Sequence, residues 1–251
     1  MKLLEFPHSH YCEKARWALD YKGLAFQAIA TMPGYHRITV RKYAPDTSVP
    51  VLINGDEAVQ SSSEIIDYLE QKHPSRPLTP TNANELCECQ DIERRMDQSL
   101  GVNIRQILYA TLLDHPEFLR YCFTHPMPWY KQQIFRLIYP YLRGKIYQGY
   151  VISDNKVEQA KYEFDKAMTE LEQRLENKQY LVSNTFTRAD LSVASMLSWL
   201  VMPAEHPFPW VKIPDTRANE FCAQYKNHAV SEWVRTMYRD HRCPVRLHMK
   251  S

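Results

Sequence analysis

Glycine is scarce in this chain, with 6 in 251 residues. No G-x-x-x-x-G-K or G-x-G-x-x-G pattern occurs. That excludes the glycine-rich cradles that hold nucleotide phosphates through backbone N–H groups. Charge of one sign is not in excess either: 31 Lys and Arg stand against 29 Asp and Glu, a net +2. Totals so balanced give no argument for nucleic acid or a membrane surface, and neither is expected as a partner. The longest apolar stretch, Leu191–Met202, is too short to span a bilayer and contains three serines, so it reads as a buried core helix. Met1–Phe6 holds one lysine and a short apolar run before Pro7, which is not a signal-peptide pattern. The six cysteines (12, 87, 89, 122, 222 and 243) are scattered. That arrangement suits a reducing, cytoplasmic setting rather than a disulfide framework. Cys87-Glu-Cys89 lacks a second ligand pair at metal-binding spacing, so no metal is expected.

What is present is ordinary globular material, 44% hydrophobic and 24% charged, enough to build a core without staples. Leu3-Leu4-Glu5-Phe6 suits a buried strand ended by Pro7. A polar turn, Ser9-His10-Tyr11-Cys12, leads into a helix with Ala15, Ala18 and Leu19 on one face and Gly23 as its stop. Ala25–Ala30 is a second strand, expected to pair in parallel with the first across that helix. Val49-Pro50 heads a third strand through Ile53. Asn54-Gly55 is the expected two-residue hairpin turn into Asp56–Val59. Ser61-Ser62-Ser63-Glu64 then offers capping hydroxyls to a helix whose apolar face carries Ile65, Ile66 and Leu69.

The order of these motifs over residues 1 to about 73 resembles the thioredoxin-like domain of glutathione transferases. The set comprises a strand, a Ser-x-x-Cys helix, a strand, a Val-Pro hairpin and a Ser-x-x-Ile-x-x-Tyr-Leu helix. The resemblance implies an α/β thioredoxin-like domain over 1–74, a proline-rich linker over 75–84, and an all-helical C-terminal domain over 85–251. It implies glutathione as cosubstrate, a small hydrophobic electrophile as partner, and a homodimer. Ser9 stands where redox relatives place the first cysteine of Cys-x-x-Cys. At a helix start, where free N–H groups and the dipole favour negative charge, its hydroxyl would hydrogen-bond the thiolate and lower its pKa. His10 and Tyr11 are also within reach of the site, and Tyr11 is the second candidate for that donor. Cys12 is the rival nucleophile of a thiol oxidoreductase, against which a serine at the first motif position counts, since a dithiol cycle needs both cysteines. A non-catalytic binding module is the third reading.

By the same resemblance, the Val49–Pro50 bond is cis and the Val49 backbone receives the cysteinyl part of glutathione as an added strand would. Ser61 and Ser62 hold the γ-glutamyl end. Ser61 occupies a position where the family usually has Glu or Gln, with Gln60 one residue early as a possible substitute. The basic stretch His36, Arg37, Arg41 and Lys42 falls where the glycyl carboxylate is often held.

In the second half, Val157–Leu175 has helical apolar spacing. Phe186-Thr187-Arg188-Ala189-Asp190-Leu191 reads as a capping box with a hydrophobic staple, a folding device and not a general acid. Phe118–Tyr150 is rich in aromatics and longer than the family's usual connection. It either walls the acceptor site or enlarges the core or a dimer contact.

Overall fold

A computed structural model describes residues 1–150 and 152–243. Four strands, β1 (Lys2–Glu5), β2 (Gln27–Ala30), β3 (Val51–Asn54) and β4 (Glu57–Gln60), form one sheet in the order β2-β1-β3-β4. β1 and β2 run parallel, with Leu3 opposite Ala28, and helix α1 (His10–Tyr21) is the crossover between them. β3 is antiparallel to β1, with Leu3 opposite Leu52, and to β4, with Val51 opposite Gln60. The strand period of two divides the sheet. Leu3 and Leu52 enter the large core with α1 and α3 (Ser62–Lys72). Leu4 and Val51 make a smaller core with Val40 at the end of α2 (Tyr35–Val40). The hairpin turn is Gly55-Asp56, one residue later than expected, because Asn54 pairs with Glu57 and Gly55 takes φ +61. Glycine accepts that left-handed conformation without a Cβ penalty.

The rest is helical: α4 (Ala83–Met96), a π-helical segment over Asp97–Val102, α5 (Asn103–Leu112), α6 (Pro116–Thr124), α7 (Trp129–Gly149), α8 (Asp154–Leu175), α9 (Arg188–Met196), α10 (Ser198–Val201), α11 (Thr216–Gln224) and α12 (Ala229–His241). The single core helix expected over Leu191–Met202 is two. The chain turns at Leu197 (φ −89, ψ 5) and ends α10 on a left-handed Met202 (φ +46). The burial expected of that segment is observed, from Leu191 at 0% exposure to Leu200 at 8%. The capping box is present. The Asp190 carboxylate accepts from the Thr187 N–H and Oγ, both at 2.8 Å, and from the Leu181 N–H at 2.8 Å. Phe118–Tyr150 resolves into the α6–α7 pair, with a second cis bond at His125–Pro126 between them. Among the described residues, no helix is long and apolar enough to cross a membrane.

Charge, more than oil, fixes α1. Its Glu13, Lys14, Arg16 and Asp20 are all buried, a placement tolerated only when ions are paired. Lys14 bonds Glu93 at 2.7 Å and Asp97 at 2.6 Å, which joins α1 to α4 and the π-helical segment. Arg16 bonds Glu5 at 2.8 Å and Glu13 at 2.5 Å. Arg242 reaches back to Glu13 at 2.7 Å and Asp20 at 2.6 Å. Burial alone would raise the Glu13 pKa, but Arg242, His206 and Arg16 outweigh it and hold the carboxyl at about 2. Trp17 fills the centre, fully buried, and donates its indole N–H to the His241 carbonyl at 3.1 Å.

Candidate active site

The mouth of α1 is open. Ser9 caps the helix in an extended conformation, and its Oγ accepts from the Cys12 N–H at 3.5 Å, the long end of hydrogen bonding. The hydroxyl proton is therefore left to donate outward. Ser9 lies at one end of a cavity of roughly 300 Å³ that runs between the sheet domain and α5, α6 and α7. Ser48 and Val49 also line it, beside the cis Val49–Pro50 bond. Its other walls are largely apolar and aromatic, among them Leu108, Tyr109, Phe123, Ile146, Tyr150 and Trp199.

The other candidates fall in different places. Tyr11 lines the cavity, but its hydroxyl donates to the Asp97 carbonyl at 2.7 Å, and burial raises its pKa. The proton Tyr11 would offer to a sulfur is thus already engaged. Its acceptor, Asp97, opens the π-helical segment. Gly101 in that segment lets Tyr11 come close: a Cβ there would lie 2.8 Å from the Tyr11 hydroxyl and 2.5 Å from Met196 Sδ. Cys12 is fully buried and does not line the cavity. Its sulfur accepts from the Phe6 N–H at 3.4 Å, and burial pushes the thiol up to about 12, which suits a structural cysteine.

Ser61 and Ser62 stand at the head of α3, outside the cavity lining. The Ser61 N–H donates to the Pro50 carbonyl at 3.2 Å, which ties the helix head to the Val49–Pro50 turn. Ser61 is exposed with φ +79, and Ser62 is buried. Gln60 does not replace Ser61: its amide is bound to the Ser48 carbonyl at 2.8 Å and the Asp46 N–H at 3.3 Å. Of the basic stretch, only His36 lines the cavity, whereas Arg37, Arg41 and Lys42 are exposed. Among the described residues, no group of three His, Cys, Asp or Glu is placed to hold a metal.

Comparison with known families settles the lineage. The glutathione S-transferase N-terminal domain matches residues 3–77, and the glutathione S-transferase C-terminal domain matches residues 154–225. Together the two cover more than half of the chain. The chain belongs to the glutathione S-transferase family. Relatives include glutathione S-transferase 1 of Dianthus caryophyllus, 36% identical over 107 residues, which is 41% of this chain and 44% of that protein. A maleylpyruvate isomerase of Ralstonia is 30% identical over 87 residues, 34% of this chain and 41% of that protein. The chain thus spans less than half the length of the curated relatives it matches. Among solved structures, the beta-etherase LigF of a Sphingobium strain superposes with a TM-score of 0.62 at 18% identity, covering 95% of this chain and 98% of that one. A glutathione S-transferase of Methylobacterium radiotolerans, complexed with glutathione sulfonate, gives a TM-score of 0.58 at 17% identity over 100% of this chain and 97% of that one. At those identities the likeness establishes the transferase fold alone.

His10, expected within reach of the site, lines the cavity, whereas His8 and Arg105 of this glutathione S-transferase family member escape a reading of the sequence for motifs. His8 is buried, bonds the Cys122 carbonyl through Nδ1 at 2.8 Å, and is held neutral with a pKa lowered to about 4 by burial. His10 is buried next to Ser9. Burial and the nearby Arg105 charge hold its pKa well below the usual histidine range. Arg105, on α5, lies against two rings, 5.5 Å from the Tyr11 centroid and 4.8 Å from that of Tyr150. Among the described residues, no carboxylate pairs with Arg105, and its Nε, like His10 Nε2, is buried without a hydrogen-bond partner. Its one sequence signal is a cation set among Ile104, Leu108 and Leu112, on a helix that otherwise offers the cavity an apolar face.

Proposed function

We propose that this protein binds glutathione along the Val49 backbone, with the sulfur at the mouth of α1, and joins the thiolate to a small, largely apolar electrophile in the cavity. The observation that carries the reading is that the cap of α1 and the Val49–Pro50 turn open into the same cavity. In this reading residues 1–74 are the glutathione-binding unit, 75–84 the linker and 85–251 the helical acceptor-site unit. Of that last unit, 244–251 lie outside the described residues. The Ser9 hydroxyl and the free N–H groups of the first turn of α1 stabilise the thiolate. The thiol proton leaves to solvent, a carbon–sulfur bond forms, and the electrophile either loses its leaving group or takes up a proton. Ser61 and Ser62, held to Pro50 through the Ser61 N–H, receive the γ-glutamyl end. Family likeness supports a homodimer in the cytoplasm.

Arg105 adds a preference within the acceptor class. A half-buried guanidinium against two aromatic rings, with its Nε shielded from water and no carboxylate partner, is a charge short of a counter-ion. An acceptor that carries an anionic group opposite its electrophilic carbon would restore the balance.

Retention on immobilised glutathione, followed by a conjugation assay with a chromogenic electrophile, tests the main reading. Retention with turnover that Ser9→Ala lowers about a hundredfold is the expected outcome. Retention without turnover would sink the enzymatic reading and leave a binding module. Loss of turnover only on Cys12→Ser would assign the chemistry to thiol exchange.

A further inference from the structure

Helix α7 is apolar on two sides. Phe135, Tyr139 and Leu142 are buried against the body of the protein. The opposite stripe is not: Tyr130, Ile134, Leu137 and Tyr141 follow one another at helical spacing and are 50, 44, 82 and 68% exposed. Trp129, at the start of the helix, is 73% exposed. A helix with apolar residues all round ordinarily has both sides covered, and a continuous exposed patch of this kind marks a contact surface. Helix α2 lies beside α7, since a Cβ on Gly34 would lie 3.6 Å from Leu142 on the buried side of α7. On α2, Tyr35 and Ile38 are 58 and 62% exposed.

Charge decides what covers it. Residues 118–153 contain Arg120, Lys131, Arg136, Arg143 and Lys145 but no Asp or Glu, and residues 21–45 contain Lys22, Arg37, Arg41 and Lys42 and again no acid. With 31 basic and 29 acidic residues in all, the remainder of the chain is correspondingly acidic. The balanced total that argued against a charged partner is thus an average over two segregated regions. Asp114 and Glu117, from the edge of α6, neutralise Arg143 and Arg136. Among the described residues, Arg37, Arg41, Lys42, Lys131 and Lys145 have no ion-pair partner.

We propose that the exposed stripe of α7, with the neighbouring α2, docks on an anionic lipid surface, the Trp, Tyr, Leu and Ile side chains entering the headgroup boundary and the free lysines and arginines meeting lipid phosphates. A second copy of the chain fits poorly, since a face with one sign of charge repels itself. Trp129, Tyr130 and Tyr141 offer rings for bases to stack on, but nucleic acid leaves the aliphatic Ile38, Ile134 and Leu137 in water, whereas a lipid boundary covers them. Both helices of the face also wall the cavity, through His36 and Ile146, so an apolar acceptor dissolved in the lipid has a short route to the site. The docking itself does not depend on the conjugation reading.

Flotation with vesicles of equal parts phosphatidylcholine and phosphatidylglycerol tests it. The protein floats with these vesicles, releases as salt is raised, and does not float with phosphatidylcholine alone. Leu137→Glu lowers the vesicle-bound fraction more than tenfold while keeping the wild-type unfolding midpoint. Lys131→Gln and Lys145→Gln each lower the partition about fivefold. Fluorescence of the exposed Trp129 shifts to the blue on binding, and Trp129→Phe removes that shift. Failure to float with anionic vesicles at low salt overturns the proposal. So does a dimer, measured by light scattering, that Leu137→Glu dissolves, or retention of single-stranded nucleic acid in preference to vesicles.

Discussion

Replacing Ser9 by alanine removes one hydroxyl from the mouth of α1 and leaves the helix dipole and free N–H groups in place. Removal of one preorganised donor to a developing anion costs about a hundred- to a thousandfold in turnover. Ser9 is half-buried rather than sealed, and the helix end continues to favour the thiolate, so the lower figure applies. A hundredfold corresponds to about 2 pKa units on the bound glutathione thiol. Stability should change little. The cap bond being lost is 3.5 Å long, which places the substitution at the low end of capping effects, about 0.5 kcal/mol. Tyr11→Phe is the informative contrast. It removes the 2.7 Å bond to the Asp97 carbonyl and so destabilises the fold by about 1 kcal/mol, but it leaves the thiolate donor untouched. Titration of the thiolate absorbance of bound glutathione, with turnover and urea unfolding on both variants, separates the two roles. If Tyr11→Phe raises the thiol pKa and Ser9→Ala does not, the assignment of the sulfur to Ser9 is wrong.

Other consequences are equally direct. Arg105→Met should weaken an anionic acceptor about tenfold in KM relative to an uncharged acceptor of the same size; equal losses for both would show that Arg105 serves the glutathione end. His8 is neutral when folded, with its pKa lowered to about 4 from 6.5 by burial. Its contribution to stability is complete above pH 6.5 and is lost as pH falls toward 4, by about 3 kcal/mol. Urea midpoints flat from pH 7 to pH 5 would contradict this. Asp190→Ala strands the Leu181 and Thr187 N–H groups in the core and should cost about 3 kcal/mol, read as a fall in unfolding midpoint with no change in the acceptor KM. Arg242→Met leaves Glu13 and Asp20 without that cation and should cost about 3–5 kcal/mol.

The sheet domain was legible because its signals are local. Period-two strands, the Ser9 cap, the stop at Gly23 and the Val49–Pro50 turn each declare themselves within a few residues. The hairpin was misplaced by one residue because Asn54-Gly55 and Gly55-Asp56 both suit a tight turn, and only the Asn54–Glu57 pairing chooses between them. The break at Leu197 has no signal in a run without glycine or proline, where the three serines fit a helix as well as a turn. The α6–α7 pair was recognised as unusual but not as two helices, since a helix apolar on both sides has no amphipathic period to read. At the site, Ser9, His10 and Tyr11 at the head of α1 could be named from the chain, but His8, one residue before the cap, could not. Arg105 could not: its isolation comes from what α5 meets across the cavity, and no local pattern records the absence of a counter-ion. The state of the Tyr11 hydroxyl was hidden for the same reason, since its acceptor lies 86 residues away.

Helix α1 is anchored by ions from β1, from α4 with the π-helical segment, and from Arg242 just after α12. Most single changes along it leave a bare charge in the interior, so drift there is costly. The α6–α7 pair is held through a stripe of aromatic and aliphatic side chains that exchange for one another at small cost. Variation among descendants should therefore accumulate in the α6–α7 pair, with new acceptors gained by reshaping one wall while the sulfur end is inherited intact.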